Sequence, residues 1–212
     1  VLIVSDHGFQ PLHKLFVLNN WLLQEGYLCV RKGFRRYLTR DGLLSIARNM
    51  QHRLGKSPPR LPYQAIDWAN TRAFADGTYG YIFLNVKGRE PQGIVGREGE
   101  YDSLCAEIAA KLKAVRDPSN HMPVVQEVYR REAIFDGPYV EDAPDLIVTS
   151  QKNYFVSASR QRLPTMAGRP EQADDLFQDH TWSGIHDPNG IFILNGPGVR
   201  LGFRIEGARV VD

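Results

Sequence analysis

Apolar positions along this chain follow two rhythms. Short runs of strand formers recur at residues 1–4, 81–86, 124–129, 145–149 and 191–194, each bounded by Gly, Pro or polar residues. A shorter run at 155–159 reads as one more strand. The second rhythm is helical. Leu104, Ile108, Leu112 and Val115 recur at spacings of four, four and three, which places them on one face of a helix over residues 102–116. Residues 12–24 read as another helix, closed by Gly26, and residues 43–54 as a third, ending at Gly55. Between them the stretch 57–62, Ser-Pro-Pro-Arg-Leu-Pro, can only be loop. Residues 160–179 are polar and broken by Pro164, Gly168 and Pro170, and they predict a loop over the site. Alternating strand and helix signals predict an α/β protein.

Composition narrows the classes without choosing a function. A chain of 212 residues can bury one sizeable core. A net charge of +2 provides no broad basic surface for a nucleic-acid polymer or a membrane. The two cysteines, Cys29 and Cys105, form no disulfide framework, and Cys105 falls on the apolar helix face. No apolar run approaches a membrane span. A cytoplasmic location is the expectation, left open to a leader peptide.

The chemistry-bearing residues sit where strands end. Asp6 and His7 follow the run 1–4, and Gly8 supplies the turn that lets adjacent side chains converge. His186 occupies a second strand-edge loop, Gly184-Ile185-His186-Asp187-Pro188-Asn189-Gly190, just before Ile191. Asp and neutral His are common ligands of catalytic zinc and related divalent ions. Open α/β sheets bind ligands at the carboxyl ends of their strands. Asp187 reads as a turn cap, with a hydrogen bond to the histidine ring as the alternative. Asn85, Lys87 and Arg89 alternate at a strand end and share one face. They are candidate partners for phosphate oxygens or, equally, the charged defence of an edge strand. The basic stretch 31–40 reads as solvated surface, with a phosphate-attracting rim as the sharper alternative. His180, six residues before His186, is a substrate-side or packing candidate. Gly55-Lys56-Ser57 has the ending of a phosphate-binding loop, but Met50 stands where the opening Gly belongs, which removes that reading.

Ser5-Asp6-His7-Gly8 and Gly184-Ile185-His186, with residues 85–95 between them, resemble the alkaline phosphatase superfamily, in particular its type I phosphodiesterase/nucleotide pyrophosphatase branch. The resemblance implies a mainly parallel, alkaline-phosphatase-like sheet flanked by helices, with residues 20–139 contributing cap or insertion elements. It implies two divalent ions, zinc with manganese as the other candidate. Asp6 and His7 would hold the ion beside the nucleophile, and His186 would help hold the other. It also implies a phosphorylated small-molecule substrate, for which Asn85, Lys87, Arg89 and His180 are the candidate contacts named above, and a covalent phospho-enzyme on Thr or Ser. In the family the nucleophile, an early Asp ligand and an Asp-x-x-x-His pair precede the Asp-His segment. The expectation is therefore an interior or C-terminal piece of a larger hydrolase, nearly inert alone. A phosphomutase or sulfatase of the same superfamily, or a metal-free binding module, remains as an alternative.

Overall fold

The computed structural model describes residues 1–31, 63–158, 176–178 and 183–205. The expected helix at 43–54, the 57–62 loop, most of the basic stretch and His180 lie outside those residues. The described elements are β1 (Leu2–Val4), β2 (Gly8–Pro11), β3 (Lys14–Val17), α1 (Leu18–Gln24), β4 (Ala73–Ala75), β5 (Gly80–Leu84), α2 (Glu100–Lys113), β6 (Val125–Arg130), β7 (Leu146–Ser150), β8 (Tyr154–Ser157), β9 (Phe177–Gln178), β10 (Gly184–Asp187) and β11 (Phe192–Leu194).

The protein is mixed α/β, but its strands form several small sheets. The largest runs β4-β5-β7-β6, and each of its pairs is antiparallel. Only β3 and β8 pair in parallel among the described strands. The expected mainly parallel sheet is therefore not what these residues form. Connection length accounts for one of these pairs. β4 returns to β5 through residues 76–79, with Gly77 at φ 98°, whereas a parallel partner needs a crossover of about a dozen residues or more. The strands within 20–139 also pair with β7, which lies beyond that span.

Local signals explain the elements, with two shifts. Helix α2 buries Leu104, Cys105, Ile108 and Leu112 against β6, as its spacing requires. Asp102 and Glu100 lie in its first turn and Lys111 and Lys113 in its last, matching the helix dipole. The first helix starts later than its apolar pattern suggests, because residues 14–17 form β3 instead. Phe16 and Val17 are good strand residues, and pairing to β8 on one side and β9 on the other overrides the helical rhythm. α1 still ends before Gly26, which has the left-handed φ of 78° expected of a helix stop.

α1 is buried on all sides and carries two asparagines into the core. Asn19 donates to the carbonyls of Ala75 and Ala158 and accepts from the Ala75 N–H. One side chain thus ties the helix to β4 and to the end of β8. The core spans both layers, with Phe16, Leu22 and Tyr27 joining Ile82, Leu104 and Leu146.

Candidate metal centre

Two short antiparallel ribbons carry the candidate ligands. β1 pairs with β11, and β2 pairs with β10 so that His186 faces Phe9 and Asp187 faces Gly8. His186 therefore lies on a strand rather than in the loop expected from its sequence. The apolar run of β1 suggests a buried strand, yet Leu2, Ile3 and Val4 are exposed, because neither face of its ribbon is covered by described residues.

Gly8 also serves a different purpose from the one its sequence suggests. It does not take a positive φ. A Cβ there would lie 2.1 Å from the Asn189 carbonyl oxygen, so what matters is the missing side chain. Gly190 meets the same restriction from the other direction, since a Cβ would lie 2.6 Å from Ser5 Oγ. The Ser5 hydroxyl accepts from the Ile191 N–H, and the Ser5 N–H donates to the Ile191 carbonyl. These contacts press the 5–8 and 187–191 segments together and bring His7 to His186.

The two imidazoles stack with centroids 3.9 Å apart and planes 23° from parallel. Phe9 meets both rings edge-on. His7 Nδ1 lies 3.0 Å from the Gly8 carbonyl, which can only accept, so Nδ1 is the donor of that bond, and the neutral ring in this tautomer has its lone pair on Nε2. That Nε2 is 3.6 Å from Asp6 Oδ1, and the Asp6 side chain is 85% exposed. The separation is too long for a hydrogen bond. It is what two donors about 2.1 Å from one ion would show at an angle of roughly 120°.

Asp6 and His7 thus offer donors whose chemistry and spacing would suit a divalent ion. Among the described residues no group of three or more His, Cys, Asp or Glu is arranged around one ion. The His186 ring lies flat against that of His7, so their in-plane lone pairs aim side by side rather than at one point.

The remaining candidates do not join this cluster. The Asn85 amide is buried and donates to the carbonyls of Trp68, Thr71 and Gln92. Arg89 makes two hydrogen bonds to Asp145, at 2.7 and 2.6 Å, and others to Glu90 and the Leu84 carbonyl. These internal bonds use the polar groups that were candidates for phosphate. The bond to Asp145 is the foremost cause holding the Arg89 pKa above its ordinary value. Lys87 is exposed. Asp187 Oδ1 accepts from the backbone and side-chain N–H groups of Asn189, so it caps the turn, and those bonds hold its carboxyl below the usual range.

A cleft of about 900 Å³ opens beside His186. Phe9, Gln10 and residues 184–189 form one wall, and Tyr79, Tyr81 and Phe155 stand on the other. Sequence reasoning passes over Gln10, whose amide donates to the His186 carbonyl and whose oxygen accepts from the Asn153 N–H. Nothing in a lone Gln on a short strand signals that bridge.

An adjacent Asp-His pair and a distant His thus stand together beside a cleft in an α/β protein. The family model for type I phosphodiesterase/nucleotide pyrophosphatase matches residues 1–183, and the chain belongs to that family. His186 lies three residues beyond the matched span, so its place in the site rests on the stack with His7. No curated protein and no solved structure matches the chain.

Proposed function

We propose that Asp6, His7 and His186 hold divalent metal, zinc or manganese, for hydrolysis of a phosphoester in the adjoining cleft. The observation that carries this reading is the convergence of the three side chains: His7 on His186 at 3.9 Å and Asp6 beside His7 at 3.6 Å. Membership of a hydrolytic family supports the reaction class. Bound there, the ions would supply positive charge for the phosphoryl oxygens and the departing oxygen.

The protein's own residues account for the rest of the geometry. The Gly8 carbonyl fixes the tautomer and orientation of His7. Gln10 holds the strand that bears His186. Phe9 packs edge-on against both rings and limits their rotation. Three side chains provide about half the protein ligands that two catalytic ions ordinarily take, so further ligands and the attacking oxygen must come from other residues. The antiparallel sheet β4-β5-β7-β6 forms the wall opposite His186. Residues 20–139 would then act as a cap over the cleft, with β7 as its continuation.

The test has two arms. Calorimetric titration of this chain with zinc should show binding that Asp6→Ala and His7→Ala each weaken. The protein should hydrolyse a nitrophenyl phosphodiester or phosphomonoester only with added metal. Turnover of a nitrophenyl sulfate ester alone would move the protein to the sulfatase reading. Zinc binding unaffected by Asp6→Ala and His7→Ala would remove the site assignment.

A further inference from the structure

The cleft has one charged group whose purpose the metal centre leaves unexplained. Of the described residues lining it, only Lys152 and Asp187 carry a formal charge, leaving the histidine aside. Asp187 is already engaged by two N–H groups of Asn189. Lys152 is exposed, and among the described residues no hydrogen bond or ion pair engages its ammonium. It is close enough to Asp187 for its charge to contribute to holding that carboxyl low, after the two Asn189 bonds.

The position of Lys152 is well determined although its tip is open. It sits in the turn between β7 and β8, next to Asn153, which takes a left-handed φ of 70°. Ser150 Oγ donates to the Tyr154 carbonyl at 2.8 Å, and the Tyr154 N–H donates to the Gln151 carbonyl at 3.1 Å. The His13 N–H donates to the Asn153 carbonyl at 2.8 Å. Gln10 then spans the two rims, with its oxygen on the Asn153 N–H at 3.4 Å and its amide on the His186 carbonyl at 3.2 Å. One side chain thereby sets the distance between the turn that carries Lys152 and the strand that carries His186. An ammonium on a held turn, in a cleft whose other charged described residue, Asp187, already accepts two bonds from Asn189, favours an anion on the His186 side of the cleft.

We propose that Lys152 is a specificity-determining residue, selecting phosphoesters whose alcohol part carries a second anionic group. This rests on the phosphoesterase reading: His186 marks the reacting phosphoryl end, and Lys152 receives the second charge across the cleft. The aromatic wall of Tyr79, Tyr81 and Phe155 encloses the span between them. Gln10 is a positioning residue in this arrangement, since it acts through the two rims.

Two measurements test it. In the metal-loaded full-length enzyme, two nitrophenyl phosphodiesters are compared, one with a neutral second alcohol and one whose second alcohol ends in a phosphate. Lys152→Ala should raise KM for the anionic ester about fivefold, the upper end for a partly sheltered ion pair, with kcat and the neutral ester unchanged. Lys152→Arg should restore most of the preference, and Lys152→Glu should reverse it. The second measurement needs no turnover. Calorimetric titration with 1,3-propanediol bisphosphate and with propyl phosphate should show a preference for the bisphosphate that Lys152→Ala removes. Equal losses on both ligands, or no loss on either, would overturn the proposal. An enzyme inert towards both esters, whose bisphosphate preference still depends on Lys152, would retire the phosphoesterase reading and leave the anion site standing.

Discussion

Two carboxylates in this protein have opposite fates. Asp145 is fully buried between the antiparallel sheet and α2, while the Asp6 side chain is 85% exposed on the ligand-bearing ribbon. Asp145 accepts two bonds from Arg89, one from the Tyr101 hydroxyl and one from the Leu84 N–H, and Arg131 lies 3.4 Å away. Each of its oxygens is occupied. Asp6 stands 3.6 Å from His7, outside hydrogen-bond range, so its oxygens remain available to an incoming cation. A charge that holds a fold together is surrounded by donors from the same chain. A charge kept for a ligand is held near its partners without being satisfied by them.

The comparison can be broken most severely at Asp145. Asp145→Ala takes from two nearly buried guanidinium groups their buried carboxylate, leaving Arg89 with Glu90 and Arg131 with Glu132, and should cost about 3 kcal/mol in urea unfolding. Zinc affinity of any folded fraction should stay unchanged, and a matching loss of affinity would mean that the two regions are coupled. Asp6→Ala should do the reverse. Metal-dependent turnover is expected to fall at least about a hundredfold, some 2.7 kcal/mol of barrier, with the urea midpoint within error of the parent.

Gly190→Ala tests how the two ligand segments are pressed together. The new methyl would lie 2.6 Å from Ser5 Oγ, so overpacking should cost about 1–3 kcal/mol and weaken zinc binding along with it. A stability loss with intact zinc affinity would show that the contact does not set the spacing of His7 and His186.

The smallest effect is a pH dependence at Asp117, a second buried carboxylate. Burial alone would raise its pKa, but bonds from Lys14, from the Ser119 N–H and hydroxyl, and from Tyr154 outweigh that and hold it well below the usual range. A folded-state value below the unfolded one of about 3.9 contributes stability that is complete above that pH and is lost as pH falls below it. Urea midpoints measured from pH 6 down to pH 2.5 should therefore drop below about pH 4. Lys14→Met should shrink that drop by roughly 1 kcal/mol or more, and an unchanged profile would show that the ion pair does not hold the carboxylate.

Elements with their own periodicity are legible in the amino-acid sequence. The face of α2, the stop at Gly26 and most strand centres follow from side-chain spacing and turn chemistry, which are local properties. The Asp6–His7 pair is legible for the same reason, because adjacent residues after a strand are neighbours in any fold. Asn85 and Arg89 look equally suited to phosphate, and only the tertiary structure shows the carbonyls and the carboxylate that engage them.

Sequence by itself determined the family and the α/β character, and it singled out the three side chains proposed for metal. Tertiary structure decided that the large sheet is antiparallel, that Gly8 and Gly190 are needed for close approach, and that His186 stacks on a histidine 179 positions earlier in the numbering. Local pattern specifies what a residue can offer. Whether the offer is used within the fold or left open to a ligand depends on partners far away in sequence, and packing alone brings those partners near.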